Sequence, residues 1–374
     1  MSLTGVTPRP ITDAERADWL RLARTSSVGP VTFFQLLARY KSAAKALEGL
    51  PDLARKAGRK RPLKAPDAAL IEAELEATNR HGAQVLTALD PAFPPLLRAL
   101  DPPPPILTAL GNTDLVTQPA IAIVGARNAS AAGRKLARDL SAELGRAGYV
   151  TVSGLARGID GEAHAASLQT GTIAVLGGGV DHIYPPQHER LYAEIAAKGL
   201  ILSESPFGHR ATAKDFPRRN RIITGCALGV VVMEAAERSG SLISARTAGE
   251  QGREVMAVPG SPLDPRAAGT NRLIRSGAAL VRHAEDVLEV VNSLPLHRVE
   301  AAPLAPLGPE PGEDPPRSQI DAVREGLGYS PMPIDEIARA AGIGAARCMA
   351  ILMELELAGQ AATLPGGLAV RQVD

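Results

Sequence analysis

IAIVGAR, residues 121–127, is the most informative stretch for the fold, because an apolar strand-like run leads there into a glycine and an arginine. A segment with helical spacing, Ala131–Ala147, follows it. The same order then repeats: Tyr149–Ser153 is strand-like, SGLARGID occupies residues 153–160, and Gly161–Thr170 has a helical pattern. Strands that alternate with helices are typical of a parallel sheet covered by helices on both faces. This stretch therefore predicts an α/β fold.

The alternation extends in both directions and predicts a core of residues 83–294. Two clusters of prolines between residues 91 and 105 exclude a regular helix there. Further helices are predicted at Glu189–Ala197 and Ser244–Gly252. The predicted strands are Ala83–Leu89, Ile121–Gly125, Tyr149–Ser153, Thr172–Leu176, Leu200–Ser203, Gly229–Glu234, Glu254–Val258 and Ala278–Val281.

The segments that flank the core predict two smaller domains. In residues 1–82, apolar positions recur at helical spacing, and a tight turn at residues 27–30 precedes a second helix, as in a helix-hairpin-helix or SAM-like domain. Such units often bind the DNA backbone through the turn, while a helical packing or interaction domain is the plainer alternative. Residues 295–316, rich in proline and acidic residues, predict a stiff linker.

Residues 317–374 predict a winged-helix-like domain. Its pattern is Ser318–Gly326, Pro333–Ala341 and Ala345–Ala358 as helices, then a hairpin around the Pro-Gly-Gly of residues 365–367. The third helix carries Arg347, but also two glutamates at positions 354 and 356, so its outer face is not basic. A role in protein interaction is therefore at least as well supported as DNA binding.

The composition limits which classes of function are compatible with the chain. The 374 residues carry a formal net charge of +1, and 45% are hydrophobic. These values exclude wholesale disorder and the binding of polyanions by bulk charge, but they permit a local basic patch. Only 3% of the residues are aromatic, which disfavours a surface that stacks many bases.

Cysteine content and hydropathy predict a soluble, cytoplasmic protein. Cys226 and Cys348 lie far apart in apolar surroundings, which predicts buried thiols in a reducing compartment rather than a disulfide framework or a zinc site. The first residues lack a basic start followed by an apolar segment. No run reaches the roughly 18 apolar residues that a membrane-spanning helix needs.

Ligands of an open parallel sheet bind beyond the carboxyl ends of its strands, so the loops there hold the candidate residues. After the first strand of the parallel alternation, a helix N-terminus and a cation are predicted to suit a phosphate. The next loop repeats this chemistry. Neither loop has the GxGxxG pattern, and no acidic residue follows for a ribose, so no dinucleotide cofactor is expected. The candidates are Gly125, Ala126 and Arg127, then Gly154, Leu155, Ala156, Arg157 and Gly158.

Asp160 and His164 are four residues apart on one predicted helix. This spacing is compatible with metal binding, but no third ligand is visible, so a satisfied structural pair is favoured and no metal is expected. Three glycines at residues 177–179 permit either a close approach of a ligand or a tight turn only.

The segment KDFPRRNR, residues 214–221, is the strongest local signal for nucleic acid. Its phenylalanine is suited to stack a base and its cations to hold phosphates, whereas a solvated charged turn with a core phenylalanine is the alternative. A later Ser-Gly-Ser turn at a helix start forms a further phosphate nest. Several anion-suited loops at one edge favour a polyanion. The candidates are Lys214, Phe216, Pro217, Arg218, Arg219, Asn220, Arg221, Ser239, Gly240 and Ser241.

No catalytic motif emerges: GxSxG, HExxH and GxxxxGK[ST] are all absent from the sequence. Residues 83–294 resemble the DNA-processing protein A family (DprA, also called Smf), with its motifs in the family's order and spacing. The motifs are IAIVGAR, VSGLARGIDGEAH, TIAVLGGGVDHIYP, SESPFG, FPRRNRII, VVMEAAERSGSLISA, GREVMAVPG and GTNRLIRSG.

The resemblance implies an extended Rossmann-like core that binds single-stranded DNA without catalysis. It implies protection of incoming DNA in natural transformation, loading of the recombinase RecA and a homodimer; whether duplex DNA is also bound stays open. By motif, the implied DNA contacts are Arg127, residues 154–158, 216–221 and 239–241, with Lys214 less secure because its segment varies.

The alternative function is an enzyme, because the core is also similar to lysine-decarboxylase-like nucleotide phosphoribohydrolases. Those enzymes carry PGGxGTxxE, whereas this chain has SGSLISA at residues 239–245. Thr247 stands three residues after Ser244, where the enzymes have glutamate. This departure disfavours the enzyme.

Overall fold

The computed structural model describes residues 8–56, 64–294, 315–364 and 367–372. The described residues of Ile11–Ala73 and Ala305–Asp374 form one compact unit. Those of Ser2–Pro10 and Glu74–Leu304 form the other. The predicted linker falls on residues 295–316, of which 295–314 lie outside the described residues, as do the first two residues of the predicted hairpin turn, 365 and 366.

The elements largely follow the predicted alternation, but the short helix Pro95–Arg98 lies in the proline-rich stretch where no regular helix was predicted, because its proline occupies the first helical turn. The helices are α1 Asp13–Ala23, α2 Pro30–Tyr40, α3 Ala43–Lys56, α4 Ala68–Arg80, α5 Pro95–Arg98, α6 Ala131–Arg146, α7 Ile159–Ser167, α8 Glu189–Lys198, α9 Asp215–Gly225, α10 Ser241–Glu250, α11 Ala268–Arg275, α12 Ala284–Ser293, α13 Arg317–Gly326, α14 Ile334–Ala340 and α15 Ala345–Leu357. The strands are β1 Ala83–Thr87, β2 Ile106–Gly111, β3 Ala120–Val124, β4 Val150–Ser153, β5 Thr172–Leu176, β6 Leu200–Ser203, β7 Gly229–Val232, β8 Glu254–Ala257, β9 Ala279–Leu280, β10 Met332–Pro333, β11 Ala361–Leu364 and β12 Leu368–Arg371.

Among the described residues, the larger unit contains a nine-stranded sheet in the order β1-β2-β6-β5-β4-β3-β7-β8-β9. The strands from β6 to β9 in this order are parallel. β1 and β2 pair antiparallel with each other, and β2 pairs antiparallel with β6. The predicted parallel sheet is therefore confirmed from β6 to β9, whereas the antiparallel pairing at the other end was not predicted, and β2 was missed because prolines precede it.

Hydrophobic packing explains why these residues form these layers. β3 is buried along its whole length, and Ile121 and Ile123 pack with Leu140 and Leu144 of α6 in a cluster that also includes α12. A second cluster holds α8 against β5 and β6. Strands that are apolar on both faces need helices on both sides of the sheet, because burial of the apolar side chains away from water stabilises the fold.

The smaller unit joins the two flanking segments. Trp19 of α1 packs against Phe33 and Phe34 of α2, with ring centroids 5.0 and 6.2 Å away. Pro30 begins α2 after Gly29, which confirms the predicted helix start. In the described residues, helices α13, α14 and α15 pack on a sheet of order β10-β12-β11, which confirms the winged-helix fold.

Both thiols are buried, and burial raises the pKa of Cys226 to about 12 and that of Cys348 to about 11. No helix in the described part of the chain is long and apolar enough to cross a bilayer.

Candidate functional site

The loops that follow β6, β5, β4, β3 and β7 lie at one edge of the sheet, because these described strands are neighbours and run in the same direction. The loops are 204–214, 177–185, 154–158, 125–130 and 233–240 in that spatial order. The predicted candidates are thereby brought to one surface, which we call the carboxyl edge.

An aromatic pair with a guanidinium lies at this edge. Phe216 is half-buried in the first turn of α9, and the ring of Tyr184 lies 5.4 Å from it, centroid to centroid. The Cζ atom of Arg127 lies over the Phe216 ring, 5.2 Å from its centroid. Tyr184 is 43% exposed. Sequence reasoning assigned it no role, although it follows the glycine run after β5.

Further exposed cations lie in the loops of the carboxyl edge and in the first turn of α9. Arg157, Lys214 and Arg218 are exposed, and we find no protein partner for them among the described residues. Arg210 and Arg238, which were not predicted, lie exposed in the loops after β6 and β7. Arg238 directly precedes the Ser-Gly-Ser turn, and that adjacency was the signal for it.

Buried groups hold the loop of residues 154–158 in a strained shape. Leu155 has a left-handed φ of 55° and is fully buried. Its N–H donates to Nε2 of His164 over 3.3 Å, and its carbonyl accepts from Nδ1 of His188 over 3.0 Å. Asp160 accepts from the N–H groups of Gly154 and Ala156 over 3.1 and 3.4 Å. These bonds fix the backbone that presents Arg157.

The protonation of His164 follows from this geometry. Its Nε2 accepts a hydrogen bond, so the proton lies on Nδ1, which donates to Oγ1 of Thr172 over 2.7 Å. Burial lowers the pKa of His164 to about 3, with His188 and Arg219 contributing. The ring of His164 is therefore neutral and has a structural role.

In the described part of the chain, no group of His, Cys, Asp or Glu is placed to hold a metal, and the side chains of Asp160 and His164 hydrogen-bond the backbone of the loop instead.

Arg219 is buried, and this corrects the expectation that it contacts a ligand. It is 7% exposed, and its Nη1 donates to the carbonyl of Gly154 over 2.6 Å and to that of Val175. Burial lowers the pKa of Arg219 to about 10, which the charge of Asp160 opposes, so the group stays protonated at neutral pH. Arg219 thus ties α9 to the ends of β4 and β5.

The N-terminus of α6 is already occupied, contrary to the prediction that it suits a phosphate. Oγ of Ser130 accepts from the N–H of Gly133 over 2.9 Å. The carboxylate of Glu234 accepts from the N–H of Ser130 over 2.9 Å and from its hydroxyl over 2.6 Å. An internal carboxylate therefore fills the anion position of this helix, and only the exposed Arg127 of that loop remains available.

Two further groups of candidate residues, Arg221 and the Ser-Gly-Ser turn of residues 239–241, already form contacts within the protein. Arg221 pairs with Glu204, so its charge is compensated. The hydroxyl groups of Ser239 and Ser241 form a hydrogen bond with each other over 2.6 Å. Gly240 is exposed, and its carbonyl oxygen lies 3.5 Å from Nδ2 of Asn220. These contacts order the turn before α10.

The remaining candidates shape the backbone. A Cβ on Gly158, whose φ is +78°, would lie 2.3 Å from the carbonyl oxygen of Ala126, so only glycine lets the two loops touch. Gly125 and Ala126 are half-buried beside this contact, and Pro217 is exposed in the first turn of α9.

Three protein families match the sequence in the order of the predicted domains. Residues 84–292 match DNA recombination-mediator protein A. Residues 13–77 match the DprA-like N-terminal HHH domain, and residues 305–367 match the DprA winged helix domain.

Known proteins and solved structures match between about half and nearly all of the chain. The chain is 33% identical to Protein Smf of Synechocystis, across 95% of this chain and 98% of that protein. The X-ray structure of DNA processing protein A from Streptococcus pneumoniae superposes with a TM-score of 0.65 at 35% identity, covering 75% of this chain and 98% of that one. A structure of DNA processing protein A from Helicobacter pylori, described for its single-stranded DNA binding mode, has a TM-score of 0.51 at 30% identity, covering 56% and 95%.

The burial of Arg219 predicts a loss of stability on substitution. Arg219→Met leaves the carbonyls of Gly154 and Val175 without their donor, so we expect the free energy of unfolding to fall by about 3 kcal/mol or more. Arg127→Met removes an exposed guanidinium and should cost about 1 kcal/mol or less. Chemical denaturation of both variants measures the difference; equal stabilities would contradict the assigned role of Arg219.

The neutral His164 predicts a pH-dependent stability. The unfolded chain takes up a proton at this residue near pH 6.5, whereas the folded chain resists it down to about pH 3. Stability should therefore fall as the pH decreases through this window, by about 1.4 kcal/mol per pH unit from this group. His164→Gln should flatten the slope in urea denaturation series, and His81→Gln, at an exposed position, serves as the control. A slope unchanged in His164→Gln would refute the assignment.

Proposed function

The chain belongs to the family of DNA recombination-mediator protein A, and on that premise we propose that it binds single-stranded DNA at the carboxyl edge of its sheet. The observation that carries this proposal is the Tyr184–Phe216 ring pair, with Arg127 over the Phe216 face. Aromatic faces stack bases of any sequence, and arginines hold the phosphates between them.

Single-stranded DNA fits this surface better than a duplex. Phe216 is half-buried between loops, so only a base that has left its stack reaches its ring. The exposed cations of the neighbouring loops, among them Arg157, Lys214 and Arg218, are suited to the phosphates on either side. The net charge of +1 confines the attraction to this edge.

The role proposed for this binding is mediation, without catalysis. The chain would coat and protect incoming strands in natural transformation and load RecA onto them, as a homodimer in the cytoplasm. Family membership supports this role. In a biochemical assay, we expect the protein to accelerate RecA filament assembly on single strands that are already covered by a single-strand binding protein. A release of free base from nucleoside monophosphates would overturn the hypothesis of a non-catalytic DNA-binding protein in favour of a phosphoribohydrolase.

Loss of the exposed arginines should weaken DNA binding and its dependence on salt. For the double variant Arg127→Ala with Arg218→Ala, the negative slope of log K against log salt should become shallower, its magnitude falling by about 0.7 per lost phosphate contact. Fluorescence anisotropy with a labelled oligonucleotide measures it. Arg146→Ala is the matched control, because this exposed arginine ends α6 at the opposite edge of the sheet. An unchanged affinity of the double variant across the salt series would contradict the proposal that DNA binds at the carboxyl edge.

The ring pair should contribute by stacking. Phe216→Ala and Tyr184→Ala should each weaken single-strand binding by about 1–3 kcal/mol, whereas Tyr184→Phe, which keeps the ring, should bind as the parent does. Thermal melting separates this effect from unfolding. If Tyr184→Ala binds with parental affinity, the base-stacking role of Tyr184 is wrong.

A further inference from the structure

Helix α15, the third helix of the winged-helix fold, is buried on two opposite faces. Cys348, Ile351, Leu352 and Leu355 point into the core of their own domain. A helix turns by about 100° per residue, so Met353 and Leu357 lie on the face away from that core. They are nevertheless only 3% and 0% exposed.

The helical N-terminal segment of the same compact unit covers this outer face. α15 packs against α2 and α3. The hydroxyl of Thr32 donates to Oε2 of Glu356, and Nη1 of Arg39 lies 3.5 Å from Oε1 of Glu354. Thr32, Leu36 and Arg39 follow the i, i+4, i+7 spacing, so they form one stripe of α2 that faces α15.

The chemistry of the two faces is complementary. The side chain of Glu354 is 4% exposed and that of Arg39 is 24% exposed, so this ion pair is largely shielded from water. Glu356 also accepts from the N–H and hydroxyl of Thr363 on β11, over 3.3 and 3.1 Å. Each glutamate therefore accepts hydrogen bonds or forms an ion pair. The apolar side chains of Met353 and Leu357 pack beside these polar pairs, as is typical of contacts between domains.

The same features make this face unsuited to DNA. A recognition helix reads bases with the face that points away from its own domain. On α15 that face is flanked on its two sides by Glu354 and Glu356, whose carboxylates repel phosphates. It is also covered by α2 and α3.

We propose that α15 is a protein-docking helix whose occupant is the chain's own N-terminal helical domain, and that it does not read DNA. The winged-helix domain is then held by its contact with α2 and α3, in addition to its covalent connection. This role is independent of the single-strand site at the carboxyl edge.

Cleavage of the full-length chain tests the docking. A specific protease site is inserted after residue 300, in the proline-rich segment, and the cleaved protein is passed over a size-exclusion column. We expect the two fragments to elute together. Arg39→Glu and Glu354→Arg should each weaken this association by at least about tenfold, and the double variant should restore it, because the charges are exchanged.

The control is Arg339→Glu, which makes the same charge change at an exposed position on α14 of the same domain and should leave the fragments together. Circular dichroism checks that each variant is folded. Separation of the parent fragments after cleavage would overturn the docking, and so would a double variant that separates like the single ones. A gain in duplex DNA affinity on opening the contact with Arg39→Glu would overturn the exclusion of DNA reading.

Discussion

The buried guanidinium of Arg219 is the interaction on which the candidate site depends. It links α9 to the carbonyls of Gly154 and Val175, at the ends of two adjacent parallel strands. Because α9 also carries Phe216 and Arg218, this link sets where the ring and the exposed cation stand relative to the loop of Arg157. A buried charge is tolerated there because main-chain carbonyls and Asp160 compensate it.

Charges at the carboxyl edge divide into those that build the edge and those left for a ligand. Arg219 and Arg221 are engaged by carbonyls and by Glu204, and Glu234 fills the start of α6. Arg157, Lys214 and Arg218 are exposed in the surrounding loops. A near-neutral chain thus keeps exposed cations at this edge, where the carboxylates of Glu204 and Glu234 are engaged by the protein itself.

Much of the fold was predictable, because periodicity reports burial. The apolar runs located β3 to β9 within one or two residues, and Pro30 marked the start of α2. The strand β2 was missed because prolines precede it, and its antiparallel pairing was missed because pairing direction depends on partners distant in the chain. Motif spacing brought Arg127, Phe216 and Arg218 to one edge, but it did not separate them from Arg219, which has the same chemistry and the opposite environment.

The α/β core, the flanking domains and the family could all be inferred from the amino-acid sequence, since these follow from local patterns and ordered motifs. Three features required the folded structure: which arginines are exposed, the contact of Tyr184 with Phe216, and the cover over the outer face of α15. The physical reason is that burial and pairing arise between residues far apart in the chain. Thr32 and Glu356 meet although 324 positions separate them, and no local pattern records that contact.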